Sequence, residues 1–230
     1  KTGERIGYDP KLHNIANIKA LKKALKDKEV LAVGVEKNPI DQLWLDRPAP
    51  PIAPVHHHDL VYTGRSSDDK IQDIADSLIK SGTEAIALNE MDAIAWTFNI
   101  RGGDTAHTPL MQGYAIVHAS GRADLFANPK KFSEETVSKL GNRTVLHDIA
   151  QFPSKLAEAG KDGAKVRLDK NSATDWILSH LKDSGAEILY GDDPTKLFRA
   201  RKNETEIKGA HQAHERDGVA MVRFLRWLDE

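Results

Sequence analysis

The sequence predicts an α/β chain, with helices packed on the faces of a β-sheet. Three observations carry that reading. Short apolar runs such as Val30–Val35, Ala85–Leu88 and Ala186–Tyr190 have strand length. Between them lie segments whose apolar residues recur every three or four positions, the mark of amphipathic helices. Gly, Pro, Asn and Asp punctuate the connections.

In chain order, Arg5–Pro10 predicts a strand closed by a turn, and residues 14–26 a helix with Ile15, Ile18, Leu21 and Leu25 on one face. Val30–Val35 predicts the next strand. Four prolines between Pro48 and Pro54 predict a stiff linker, and that is where we place a domain boundary. Beyond it, Asp68–Ser81 predicts a helix, Ala85–Leu88 a strand and Met91–Asn99 a short apolar helix or turn. Arg101–Pro109 is a polar loop. Gly113–Ala119 and Ala123–Ala127 predict a hairpin around Ser120–Gly121. A helix over Phe132–Leu140, a strand over Arg143–Leu146, a helix over 152–159 and a strand over Val166–Asp169 follow. Ser172–Leu181 predicts a helix capped by Asn171, and Ala186–Tyr190 a final strand. Asn203 followed by Glu206 forms a capping-box signature, opening a helix that runs to the C-terminus. Its apolar stripe (Ile207, Ala210, His214, Gly218, Met221, Leu225, Leu228) predicts burial, so another subunit or another part of a longer protein is expected to cover Met221–Leu228.

One arrangement occurs twice. A strand, Asp9, a helix, a strand and then Asn38–Trp44 are echoed by a strand, Asp169, a helix, a strand and Asp193–Phe198. The two aspartates lie 160 positions apart. A duplicated unit and a chance recurrence of a common pattern both account for this.

Composition narrows the function classes. With 40% hydrophobic and 29% charged residues the chain is an ordinary globular one, of a length suited to one large domain or two small ones. A net charge of −1 gives no reason to expect nucleic acid or an acidic membrane as partner. The absence of cysteine excludes disulfides and thiolate sites and suits a reducing compartment. No apolar run approaches the ~20 residues that span a bilayer. Lys1–Glu4 offers neither a starting Met nor a signal-type segment, so the front is expected to be cut.

Three groups of residues could carry chemistry. His56, His57 and His58 precede Asp59, but neighbours on a strand face opposite ways. At most His56 and His58 could share an ion, and the segment reads as a solvated loop. His211 and His214 share a helix face at a spacing of three, whereas the helical zinc motif needs four and a glutamate where Gln212 stands. His214 therefore reads as a buried, hydrogen-bonded histidine. Arg101–Pro109 gathers a guanidinium, a carboxylate (Asp104) and an imidazole (His107), with Gly102 and Gly103 permitting unusual backbone angles. Such a loop suits either ligand contact or a self-satisfied turn. No nucleophile elbow, phosphate loop or dinucleotide fingerprint is present, and the glycosylation patterns at Asn142 and Asn203 read as incidental.

Several segments together resemble the three-domain, cytosolic-type Xaa-Pro aminopeptidases of the creatinase/prolidase-like metallopeptidase superfamily. They are Asn38–Pro48, Tyr62–Gly64 with Lys70–Ile71, Met91–Asp104, Lys202–Ile207 and Ala213–Gly218 through Leu228. The run Asp92-Ala93-Ile94-Ala95-Trp96-Thr97-Phe98-Asn99-Ile100-Arg101-Gly102 is the most specific of them.

The resemblance implies a creatinase-type α/β domain with a mixed sheet over residues 55–200. Before it, residues 1–47 would close a similar preceding domain, with 48–54 as the Pro-rich linker; after it, residues 201–230 would be the opening helix of a truncated pita-bread domain. It implies removal of an N-terminal residue that precedes proline, by two divalent metals, manganese in most relatives, bridged by a hydroxide. The metal ligands of such enzymes lie beyond the first catalytic helix, so no catalytic residue and no metal ligand is assigned here, and the chain alone is expected to bind no metal pair and to be inactive. A cytoplasmic homodimer acting on peptides with proline second is implied, with the chain's own catalytic domain as its other partner. The loop matching Arg101–His107 would approach an active-site mouth, making Arg101, Asp104 and His107 substrate-facing: Arg101 for a carboxylate or carbonyl, Asp104 for the free amine. The competing reading is a stand-alone, non-catalytic module used for dimerisation or peptide binding.

Overall fold

The computed structural model describes residues 3–230. The chain opens with β1 (Arg5–Tyr8), α1 (Ile15–Lys26), β2 (Leu31–Gly34) and α2 (Pro39–Leu43). Residues 47–54 carry neither helix nor strand. There follow β3 (His56–His57), α3 (Leu60–Thr63), α4 (Ser67–Lys80), β4 (Ala85–Leu88), α5 (Met91–Thr97) and β5 (Ile100–Arg101). The hairpin of β6 (Tyr114–His118) and β7 (Ala123–Ala127) leads to α6 (Glu134–Ser138), β8 (Thr144–Asp148) and α7 (Phe152–Ala159). The body closes with β9 (Lys165–Leu168), α8 (Asp175–Asp183), β10 (Glu187–Tyr190) and α9 (Pro194–Ala200), before α10 (Glu204–Asp229).

Six strands form one mixed sheet in the order β10-β9-β4-β6-β7-β8. β10, β9 and β4 run parallel, the β4-β6 and β6-β7 pairs are antiparallel, and β8 returns parallel to β7. Strand alternation splits the core in two. Ile86 and Leu88 of β4 pack under Ile71, Ile74 and Leu78 of α4, while Ala85 and Ala87 face the side covered by Phe152 and Leu156 of α7 and Ile177 and Leu181 of α8. Every residue of β4 and β7 is buried, as befits central strands.

The recurring arrangement has a geometric counterpart. β1-α1-β2 and β9-α8-β10 are both parallel β-α-β units. They meet through backbone bonds that are reciprocal at the 160-residue offset. Ile15 N donates to Ala173 O (3.0 Å) and Asp175 N to His13 O (2.9 Å); Ala16 N donates to Lys170 O (2.9 Å) and Trp176 N to Pro10 O (3.0 Å). Asn14 and Thr174, which face each other in an isolated bridge, cap α1 and α8 respectively. The two units are thus joined about a local pseudo-two-fold axis, which favours duplication over chance. Two side-chain bonds break the symmetry: Tyr8 Oη donates to Asp175 Oδ2 at 2.6 Å, and Asn14 Nδ2 to Asn171 O at 2.8 Å.

Three local expectations are corrected. Asn171 does not cap α8; its backbone N–H closes a turn on Asp169 Oδ1 (2.8 Å), and the helix starts at the Thr174 cap that mirrors Asn14. The helix expected over Phe132–Leu140 shrinks to α6, because Phe132 is extended and Ser133 is the cap. His56–His57 is not a solvated loop; it is a strand paired antiparallel with β5.

Candidate functional site

Arg101 ends β5, which β3 holds in register through His56. Its Nη1 donates to Ala95 O (3.1 Å) and Ile100 O (2.8 Å), fixing the guanidinium against the C-terminal end of α5. The rest of the fork lines a cleft of about 750 Å³ together with His58, Tyr62, Lys70, Trp96 and Glu206. α10 supplies one wall of this cleft and α3 another. Burial pushes the Arg101 pKa down, and the charge of Glu206 opposes that shift.

Lys70 forms the floor. Its residue is 2% exposed, and Nζ donates to Asn99 Oδ1 (2.6 Å) and Trp96 O (3.0 Å) while lying 4.5 Å from the Trp96 ring centre. Burial pushes its amine down to about 8. Asn99 can serve this role because its backbone is left-handed (φ 50°), turning α5 sharply into β5, with Nδ2 donating to Arg65 O. His58 stacks on Tyr62 at 5.3 Å; burial, then the charges of Arg101 and Lys70, hold its pKa below the ordinary imidazole value. The cleft is therefore cationic at its base, with one carboxylate, Glu206, on the opposite wall.

The other two residues singled out from the loop do not join Arg101 in this cleft. The side chain of Asp104 is fully buried: Oδ2 takes Lys131 Nζ at 2.5 Å and the Gln112 N–H at 2.7 Å. Asp104 thus fastens the loop to the body. His107 sits at the exposed tip with φ 60°. The two glycines are needed for close approach and not for unusual angles: a Cβ on Gly102 would lie 2.9 Å from Met111 Cβ, and one on Gly103 3.2 Å from Ala53 Cβ. The left-handed position belongs to His107.

His214 is exposed, contrary to expectation, with Nδ1 2.8 Å from Ala210 O of its own helix. No residue of α10 is buried; Val222 and Trp227 are 66% and 68% exposed.

Sequence reading missed a second polar cluster. Asp124 on β7 is 7% exposed and pairs with His118 Nε2 of β6 (2.8 Å) and His147 Nε2 of β8 (2.7 Å). Burial alone would raise its carboxyl, but the bonds and charges of the two histidines hold it below the ordinary value. Only the sheet register brings these three together. Among the described residues, no group of three or more His, Cys, Asp or Glu could hold a metal ion.

Residues 46–206 match the family model of the creatinase/prolidase N-terminal domain. The chain belongs to that family. It is 30% identical to a probable Xaa-Pro aminopeptidase P of Neosartorya fischeri over 99% of its own length, and 32% identical to one of Aspergillus niger. Its fold superposes on an X-prolyl aminopeptidase of Caenorhabditis elegans, described as a cytosolic enzyme with a dinuclear active site, with a TM-score of 0.89 and 26% identity over the whole chain. The chain spans 36% and 38% of the two fungal relatives and 38% of the nematode enzyme, and corresponds to their N-terminal portion.

Proposed function

We propose that this chain is the N-terminal, non-catalytic portion of a metal-dependent Xaa-Pro aminopeptidase, which removes the residue preceding proline from peptide N-termini. The observation that supports it most is the match to the nematode enzyme along the full chain, α10 included. In this reading α10 opens the catalytic part. Two divalent ions, manganese by family preference, would be held by that part and would supply a nucleophile at neutral pH. The residues of this chain do not fit such a centre, since no ligand group is found among those described, and no step of the reaction is assigned to them. Alone, the chain is inactive. The whole protein is a cytoplasmic homodimer acting on peptides with proline second.

This chain would contribute the cationic cleft. Arg101, held by Ala95 O and Ile100 O, offers its remaining donors to a carbonyl or carboxylate of bound peptide. Lys70 adds positive charge from the floor, and His107 reaches outward from the loop tip that Asp104 and Lys131 hold in place. The test is Arg101→Ala in a longer product of the gene that cleaves Xaa-Pro peptides. Loss of one charged hydrogen bond, about 1.5–3 kcal/mol, corresponds to a fall of about 10- to 100-fold in kcat/KM. An unchanged kcat/KM refutes the substrate-facing role.

A further inference from the structure

α10 meets the body in its first turn and runs on beside α3 as a wall of the cleft as far as Ala213; the first turn is built around one amide. Asn203 Oδ1 accepts from Glu206 N (2.9 Å), Glu206 Oε2 accepts from Asn203 N (2.9 Å), and together they cap the helix. The other end of the same amide, Nδ2, donates to Thr63 O at 2.8 Å. The helix start and its attachment to the body therefore share one side chain.

The seat is rigid and shaped for it. α3 ends at Gly64 with φ 65°, and a Cβ there would lie 2.8 Å from Asn203 Oδ1 and from Cβ and Oγ1 of Thr205. Thr63 is buried. Arg65, next along, is fixed by Asp73 of α4 (2.6 Å), and its carbonyl accepts from Asn99 Nδ2 (2.8 Å) and Thr63 Oγ1 (3.2 Å). Beyond this turn no residue of α10 is buried; Ala213 is half-buried, and past it the helix is exposed. With 26 residues at about 1.5 Å each, α10 is a lever of about 39 Å, so a tilt of about 15° at the base moves its far end by about 10 Å.

We propose that Asn203, seated on the Thr63–Gly64 turn, is the joint that sets the direction of α10 against the α/β body. It is a positioning residue. If α10 opens the catalytic part, as proposed above, the joint fixes how that part stands over the Arg101 cleft, whose wall includes Glu206; the joint itself does not depend on that reading.

The chain contains no cysteine, so a pair introduced at exposed positions, Lys80→Cys and Arg216→Cys, takes spin labels cleanly. Pulsed electron paramagnetic resonance on the 230-residue chain then reads the distance from body to helix. The parent gives one narrow distribution. Asn203→Ser and Asn203→Asp keep a capping oxygen and lose the Nδ2 donor, so helicity by circular dichroism is retained while the distribution widens about twofold or its centre shifts. Gly64→Ala, whose Cβ would meet Asn203 Oδ1 and Thr205, displaces the seat and the cap that rests on it and shifts the centre. If either folded Asn203 variant keeps the parent distribution, the proposal is overturned. No activity is measured, so this result stands apart from the fate of the proposed reaction.

Discussion

Replacing Lys131 by Met isolates what holds the candidate loop in place. The Lys131 and Asp104 side chains are 4% and 0% exposed, with Nζ and Oδ2 2.5 Å apart. Asp104 Oδ2 has one further bond, from Gln112 N, and Oδ1 has no hydrogen-bond partner. Lys131→Met thus leaves a buried carboxylate with one backbone donor, which costs about 3–5 kcal/mol. In a domain of this size each kcal/mol moves Tm by about 2–4 °C, so a fall of about 10 °C is expected in thermal melts. The Asp104→Leu/Lys131→Met double variant removes both charges and recovers most of the loss. Limited proteolysis localises the effect, with new cleavage expected between residues 102 and 112 in the single variant only. A single variant within about 1 kcal/mol of the parent, or a double variant no more stable than the single, refutes the claim that this pair fastens the loop.

Two further predictions concern titration. Burial, then the hydrogen bond to Asp175 and its charge, raise the Tyr8 phenol above its ordinary value of 10.0. Stability from this group is complete below about pH 10 and falls as pH rises beyond it, so Tyr8→Phe costs about 1–2 kcal/mol at neutral pH and loses the alkaline dependence; equal pH slopes in parent and variant melts contradict this. Lys70 titrates near 8 in the fold against 10.5 for a free lysine, so between those values the unfolded chain binds more protons and stability rises with pH, by on the order of 3 kcal/mol at most. Urea titrations at about pH 7.5 and 9.5 should show about 2 kcal/mol of that gain in the parent and not in Lys70→Gln; a flat parent profile contradicts the depressed amine.

The fold was legible where local chemistry and tertiary demands agree. Helical spacing located α1, α4 and α8, the Asn203–Glu206 box located the start of α10, and Gly121 (φ 80°) marked the β6-β7 turn. Legibility failed where a distant partner decided the outcome. Asn171 is a reasonable cap by itself, but the bridge between Asn14 and Thr174 starts α8 three residues later. His56 and His57 look like loop residues until β5 pairs with them. In the site, the polar loop was visible, but the residues that divide it were not: Asp104 is claimed by Lys131, while Arg101 is placed with Lys70 and Glu206. None of those partners is a sequence neighbour, and the same holds for Asp124 between two strands' histidines.

The most direct test of the account is peptide cleavage by two purified products of the same gene, each supplied with manganese and a peptide carrying proline second. The account predicts no release of the N-terminal residue by the 230-residue chain, and metal-dependent release by a longer product that contains it. Turnover by the 230-residue chain itself, or a longer product that binds divalent metal and leaves Xaa-Pro peptides intact, would contradict it.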